Sequence, residues 1–139
     1  MTTAPVHHSS SPAASPDIPS SASTTALGRL GEDIVADLLA DAGWVILERN
    51  FRAGRGEIDI IALDGRTLVL VEVKTRRTLA AGTPFEAIDA RKLSRIRRAF
   101  GHYLLHHSPP HVDVRIDAIS VHLPRTGESR IEHLRGVAA

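Results

Sequence analysis

The 139-residue chain contains no cysteine and few aromatic residues, with one Trp, one Tyr and three Phe. The missing thiols exclude disulfides and thiolate zinc sites, and leave the redox compartment unconstrained. A formal net charge of +1 excludes a protein that coats nucleic acid by bulk charge, so any such contact has to come from local clustering. No stretch approaches the roughly 18 apolar residues of a membrane span. Residues 1–23 lack both the basic start and apolar run of a secretory signal and the arginines of an organellar transit peptide, so a cytoplasmic location is expected. The same segment is rich in Ser, Pro, Ala and Thr, carries Asp17 as its one charged side chain, and reads as a disordered tail. A single domain with its own core is expected over residues 24–135.

What is present centres on Gly56 to Arg76, GEIDIIALDGRTLVLVEVKTR. This stretch reads as two strands joined at Asp64-Gly65, a strong hairpin signal. Ile58, Ile60, Ala62, Val69, Val71 and Val73 form one apolar side. The other side is apolar near the turn, with Ile61, Leu63, Leu68 and Leu70, and charged away from it, with Glu57, Asp59, Glu72 and Lys74. Period two puts these four charges on one face only if the loop holds an even number of residues. Strands apolar on both faces lie centrally in a covered sheet, where an unpaired polar group costs roughly 2–7 kcal/mol. Carboxylates within about 4–6 Å raise one another's pKa, a repulsion that a divalent cation relieves and Lys74 relieves only in part. A cleft binding Mg²⁺ is one reading of these residues. A solvated edge with a Glu72–Lys74 pair is the other.

Before the hairpin, Thr24 or Thr25 caps a helix that runs to about Ala42 and stops at Gly43. Leu27, Leu30, Ile34, Val35, Leu38 and Leu39 share an arc with Gly28 and Gly31, small residues that permit close approach to a sheet. Glu32 lies at the edge of that arc, either at the solvent line or reaching the cleft as a further acidic ligand. Trp44 to Phe51 reads as the first strand, with Trp44 packing rather than stacking on bases. Arg52 and Arg55 flank the loop into the hairpin, within reach of phosphate. After the hairpin, Thr83-Pro84-Phe85-Glu86 is a capping-box pattern, and Asp89 caps a longer helix to about His107. Leu93, Ile96, Phe100, Tyr103 and Leu104 make its apolar face. Arg91, Arg95 and Arg98 lie opposite with Lys92 and Arg97 on the flanks, a run that is either a solvated face or a backbone-binding stripe. His102 and His106 have helical metal-pair spacing but lack the glutamate of the metalloprotease motif, so no metal role is expected there. Val112 to Leu123 and Arg130 to Leu134 read as strands, the first with a bulge near Ala118-Ile119. Asp117 reads as structural.

Asp59, followed after a hairpin by Glu72-Val73-Lys74, resembles the PD-(D/E)xK nuclease signature, with Ile58 where the signature has Pro. The wider pattern of GRLGEDIVADLLADAGWVILERNF, the hairpin, GTPFEAIDARKLSRIRRAF and RIDAISV is similar to the YraN-like family, uncharacterised protein family 0102. The likeness runs from about Leu27 to Leu134 and stops before the C-terminal tail, which departs from the family pattern. It implies a restriction-endonuclease-like αβββαβ sandwich, α/β with a mixed central sheet, related to Holliday-junction resolvases. The element order of helix, three strands, helix and two strands agrees.

The resemblance further implies that Asp59, Glu72, Lys74, Glu57 and Glu32 are the catalytic set, and that Asp59, Glu72 and Val73 hold Mg²⁺ or Mn²⁺. Arg55, Arg76, Arg77, Arg91, Lys92, Arg95 and Arg98 are then the residues placed to bind nucleic acid, with DNA the expected partner. The expected function is metal-dependent hydrolysis of DNA phosphodiester bonds, on branched or linear substrates. The alternatives are a non-catalytic nucleic-acid-binding module of the same fold, and a protein–protein interaction role with the acidic cleft as a remnant. A membrane partner is not expected. A symmetric dimer suits a junction enzyme, though no residue shows one.

Overall fold

Gly65 adopts φ +61°, a left-handed conformation that tight hairpin turns use and that glycine enters without steric cost. The computed structural model describes residues 6–8, 24–78 and 88–137. In chain order its elements are β1 (Val6–His8), α1 (Thr24–Asp41), β2 (Val45–Ala53), β3 (Gly56–Asp64), β4 (Thr67–Arg76), α2 (Ala90–His106), β5 (Asp113–His122) and β6 (Arg130–Leu134). Asp64 pairs with Thr67, so the β3–β4 loop is the two residues Gly65-Arg66. The even count fixes a register in which Ile60 faces Val71 and Ile61 faces Leu70.

The strands form one sheet in the order β1-β6-β5-β4-β3-β2. The β4–β5 pair is parallel and the others are antiparallel, as the expected mixed sheet requires. A parallel pair needs a crossover, and α2 lies within it. The two helices cover opposite faces. Beneath α1, Val35 and Leu39 pack on Ile60, Val69, Val71, Ile119 and Val121. Beneath α2, Ile96, Ala99 and Tyr103 pack on Ile58, Ile61, Leu68 and Leu70. Full burial of one such aliphatic side chain stabilises the fold by about 1.5–3 kcal/mol. Gly31 and Gly56 set the helix-to-sheet spacing. A Cβ on Gly31 would collide with the Thr75 side chain, and one on Gly56 with the backbone of Arg95 and Ala99.

Four local expectations change. Ile58 packs with the α2-side core, not beside Ile60, because the alternation reverses between them. No bulge interrupts β5, whose register with β4 is continuous from Asp113 to His122; the irregularity lies in β2, between Ile46 and Glu48. The Ala118-Ile119 run is apolar because both faces of β5 are covered there. On α2, Leu104 is 40% exposed and Ala99 takes the inward place. Finally, Val6–His8, inside the segment read as disordered, pairs with Ile131–His133 at the sheet edge through its backbone, which composition does not report. The rest of that segment, and the capping box at Thr83 to Glu86, lie outside the described residues.

A buried polar cluster ties down the far edge. Asp117 is 0% exposed and accepts hydrogen bonds from Arg115 Nε at 2.8 Å, His133 Nε2 at 2.8 Å and the Gly136 amide at 3.0 Å. Trp44 packs edge-on against His133 at 5.7 Å, with the Arg115 guanidinium 5.7 Å from its ring centre. Both residues are therefore structural. Burial favours a neutral carboxyl at Asp117, but the bonds from His133, Arg115 and Gly136 outweigh it and hold the group below the ordinary carboxylate range. Asp117→Ala should cost about 3–5 kcal/mol in urea unfolding at pH 7, since it strands Arg115 and His133. A depressed carboxylate stabilises above its unfolded pKa and loses that contribution as pH falls through its folded pKa, so the difference between mutant and wild type should narrow in acid.

Candidate functional site

The site forms where the hairpin strands part. The β3–β4 ladder ends at Ile60–Val71, and the same register carried one step further sets Asp59 opposite Glu72. There the Val73 amide donates to Asp59 Oδ2 at 2.8 Å, a side chain replacing the neighbouring strand as acceptor. Beside it in β2, Asn50 has φ +52°, the one non-glycine residue at positive φ among the described residues. Asparagine tolerates this conformation better than most residues. It marks the reversal of face: Arg49 ion-pairs with Asp33 of α1, while Phe51, opposite Ile58, packs in the α2-side core. Asp59 sits at this crossing point.

A cleft of about 590 Å³ opens from it, lined by Thr25, Gly28, Arg29 and Glu32 of α1, Asn50 and Arg52 of β2, and Glu57 and Asp59 of β3. Glu32 thus reaches the cleft. Burial and then the charge of Asp59 raise its pKa, while a hydrogen bond from Asn50 opposes them. Burial also raises Asp59, against the Val73 amide and the Lys92 charge. Glu72 is 9% exposed. Its burial first, and the Asp59 charge second, push its pKa up to about 7 in spite of Lys92. One carboxylate oxygen, Oε1, lies 3.1 Å from Lys92 Nζ. The other, Oε2, is buried without a hydrogen-bond partner. Glu57 is shared between Lys92 Nζ at 3.5 Å and Arg52 Nε at 3.6 Å.

The structure therefore brings together Asp59, Glu72, Glu57 and Glu32, with the Val73 backbone. Lys74 departs from the expectation. It is exposed and forms no ion pair with these carboxylates among the described residues, although β4 stays paired with β5 past it, to Arg76. Lys92, read from spacing as part of the basic stripe, takes that place from α2. Its position on the flank of the helix, three residues after the Asp89 cap, was the available signal. An asparagine within an otherwise strand-like run was the corresponding signal for Asn50.

No group of three or more His, Cys, Asp or Glu side chains converges as a ready-made metal cage among the described residues. Mg²⁺ does not require one, because it keeps several waters and takes one or two carboxylates together with substrate phosphate. Asp59 and Glu72 fit that requirement, and the unpartnered Glu72 Oε2 is a hard oxygen donor. On the other side of β3, the close approach at Gly56 lets Arg95 Nε donate to the Arg55 carbonyl at 3.1 Å. Arg55, Arg91, Ser94, Arg95 and Arg98 line one open groove of about 490 Å³. Arg76 and Arg77 are half-buried at the end of β4, and their carbonyls accept from the Leu123 amide and from His122.

The family model described as Uncharacterised protein family UPF0102 matches residues 31–121. A UPF0102 protein of Renibacterium salmoninarum is 47% identical over 111 residues, covering 80% of this chain and 94% of that protein. Another, of Streptomyces griseus subsp. griseus, is 49% identical over 114 residues, covering 81% of this chain and 96% of its own. A third, of Kineococcus radiotolerans, is 43% identical over 116 residues.

The raised pKa of Glu72 has a measurable sign. A carboxyl whose folded pKa lies above its unfolded value stabilises while protonated, and the contribution is lost as pH rises from 4.5 to about 7. At about 1.4 kcal/mol per unit, the ceiling is roughly 3 kcal/mol. In EDTA, the fall in unfolding free energy between pH 5 and pH 8 should be smaller by up to that amount in Glu72→Gln than in wild type.

Proposed function

This chain belongs to the uncharacterised protein family UPF0102, and we propose that it hydrolyses phosphodiester bonds in DNA with a divalent metal ion. The observation that carries this reading is the convergence of Asp59 and Glu72 at the parting of β3 and β4, with a buried Glu72 oxygen left unpartnered. Asp59, Glu72 and the main chain at Val73 would hold Mg²⁺ or Mn²⁺. Bound there, the ion would polarise a phosphoryl oxygen and lower the pKa of a water. The chain's own residues account for the rest. Glu32, whose burial favours a proton, is placed to exchange one at the cleft wall. Arg29 and Arg52 line the same cleft and suit a passing phosphate. Arg55, Arg91, Arg95 and Arg98 offer a second track for the nucleic-acid backbone. No helix among the described residues is long and apolar enough to cross a membrane. A cytoplasmic site of action fits a DNA substrate.

A second reading, a module of the same fold that binds nucleic acid without cutting it, is favoured by the position of Lys74 away from the carboxylates. Labelled linear, nicked, flapped and four-way DNA with Mg²⁺ or Mn²⁺ separates the two. Under the hydrolytic reading, cleavage appears in wild type and falls at least ~10²-fold in Asp59→Asn and Glu72→Gln, which keep DNA affinity. Retention of DNA with no cleavage of any substrate would move the assignment to the binding module. Under either reading, reversing Arg91, Arg95 and Arg98 to Glu should abolish detectable binding. Neutralising the three to Gln should instead lower the log–log salt slope by roughly 2.7 if each meets one phosphate.

A further inference from the structure

Lys92 is fixed at its root. Its amide donates to Asp89 Oδ1 at 2.9 Å in the N-terminal cap of α2, so the side chain leaves the first turn of the helix from a defined position. Its ammonium then reaches two carboxylates on two different strands, Glu72 Oε1 at 3.1 Å and Glu57 Oε1 at 3.5 Å. The two partners differ in kind. Glu72 is buried, whereas the Glu57 side chain is 33% exposed and also has Arg52 beside it. One ammonium serves only one oxygen of Glu72, and Oε2 remains buried without a hydrogen-bond partner. Against the neighbouring carboxyl groups of Glu72 and Asp59, α2 thus sets a single ammonium, in contact with one of their four oxygens.

We propose that Lys92 is the resident counter-ion of Glu72 beside the cleft, and that its ammonium and a divalent cation exclude one another at Glu72. This rests on the metal-dependent reading above and assigns to α2 the control of ion occupancy. Two cations within a few ångströms in a partly buried site repel strongly, because the effective dielectric there is far below that of water. A lysine is a compact charge on a flexible four-carbon stem, so it can give up one partner without moving its backbone. Glu57 offers a second resting place on the solvent side, already at 3.5 Å. On ion binding the ammonium withdraws from Glu72 to Glu57, at the rim where a phosphodiester would enter. The cleft thus stays charge-compensated when empty of metal and presents a basic group at its mouth when loaded.

Calorimetric titration of MnCl₂ into the full chain tests this without any substrate. Lys92→Met keeps the apolar stem and removes the charge, and Lys92→Gln removes the charge while staying polar. Both should bind Mn²⁺ at least about tenfold more tightly than wild type, or bind it detectably where wild type does not. Lys74→Met, which loses an exposed charge of the same sign, should stay within about threefold of wild type. Binding by wild type that neither Lys92 variant tightens would overturn the exclusion and leave the metal-dependent reading standing. Equal tightening in Lys74→Met would also overturn it, since the effect would then be one of general charge. Absence of Mn²⁺ binding in wild type and all variants would overturn both this proposal and the metal-dependent reading.

Discussion

The even length of the Gly65-Arg66 turn is the constraint on which the site depends. Side chains along a strand alternate between faces, so a loop longer by one residue would shift the pairing of β4 and carry Glu72 to the face opposite Asp59. The same shift would drive Val69 and Val71 out of the α1-side core, which makes the register costly to change. The two carboxyl groups of the candidate site are thereby held in place by packing that has nothing to do with their own chemistry. Asn50 adds the second condition. Its left-handed backbone reverses the faces of β2 and β3 at one rung, so that Phe51 and Ile58 seal the α2 side while Asp59 is left at the crossing.

Electrostatics then separates two acidic residues that composition would treat alike. Asp117 and Glu72 are both buried, yet their pKa values move in opposite directions. Asp117 has donors for both oxygens from Arg115 and His133, with a main-chain amide added. Glu72 has one lysine, a like charge nearby and an oxygen with no donor. A fully satisfied buried carboxylate is a structural strut, whereas an under-satisfied one beside a second carboxylate is left with part of its burial cost uncompensated. That contrast, more than burial itself, distinguishes framework from site in this molecule.

Much of this was legible in the sequence for identifiable reasons. The hairpin was readable because Asp64-Gly65 signals a tight turn and the flanking apolar runs state the strands, although pairing moves the loop one residue on, to Gly65-Arg66. The order of helices and strands from α1 to β6 followed from periodicity, and Asp89 announced the start of α2. The parity question could be posed from Asp59 and Glu72, and only pairing could answer it. Four features were hidden because they are set by tertiary geometry. The strand reversal at Asn50 inverts the face of Ile58 with no change in the hydrophobic pattern. Lys92 and Glu72 meet through the docking angle of α2, fixed at Gly56, which no one-dimensional spacing records. Lys74 carries the right letter at the right offset, yet its side chain is exposed and makes no ion pair with the carboxylates among the described residues. The β1 strand is held by backbone pairing, to which composition is blind.

The parallel alignment of β4 with β5 also orders the assembly of the molecule in time. The β2–β3–β4 meander is local in sequence, so its pairing closes short loops and can form early. β5 can join β4 only after the long connection between them has closed, a closure whose entropy must be met before its contacts reward it. Through this interval Glu72 and Asp59 sit together on a nascent hairpin in water, where their mutual repulsion is weak. The docked α2 is what sets Lys92 against Glu72, while α1 walls the cleft beside Asp59. The counter-charge of Glu72 is thus carried by the same long-range crossover that completes the parallel pair, and not by the local meander that holds the carboxylates.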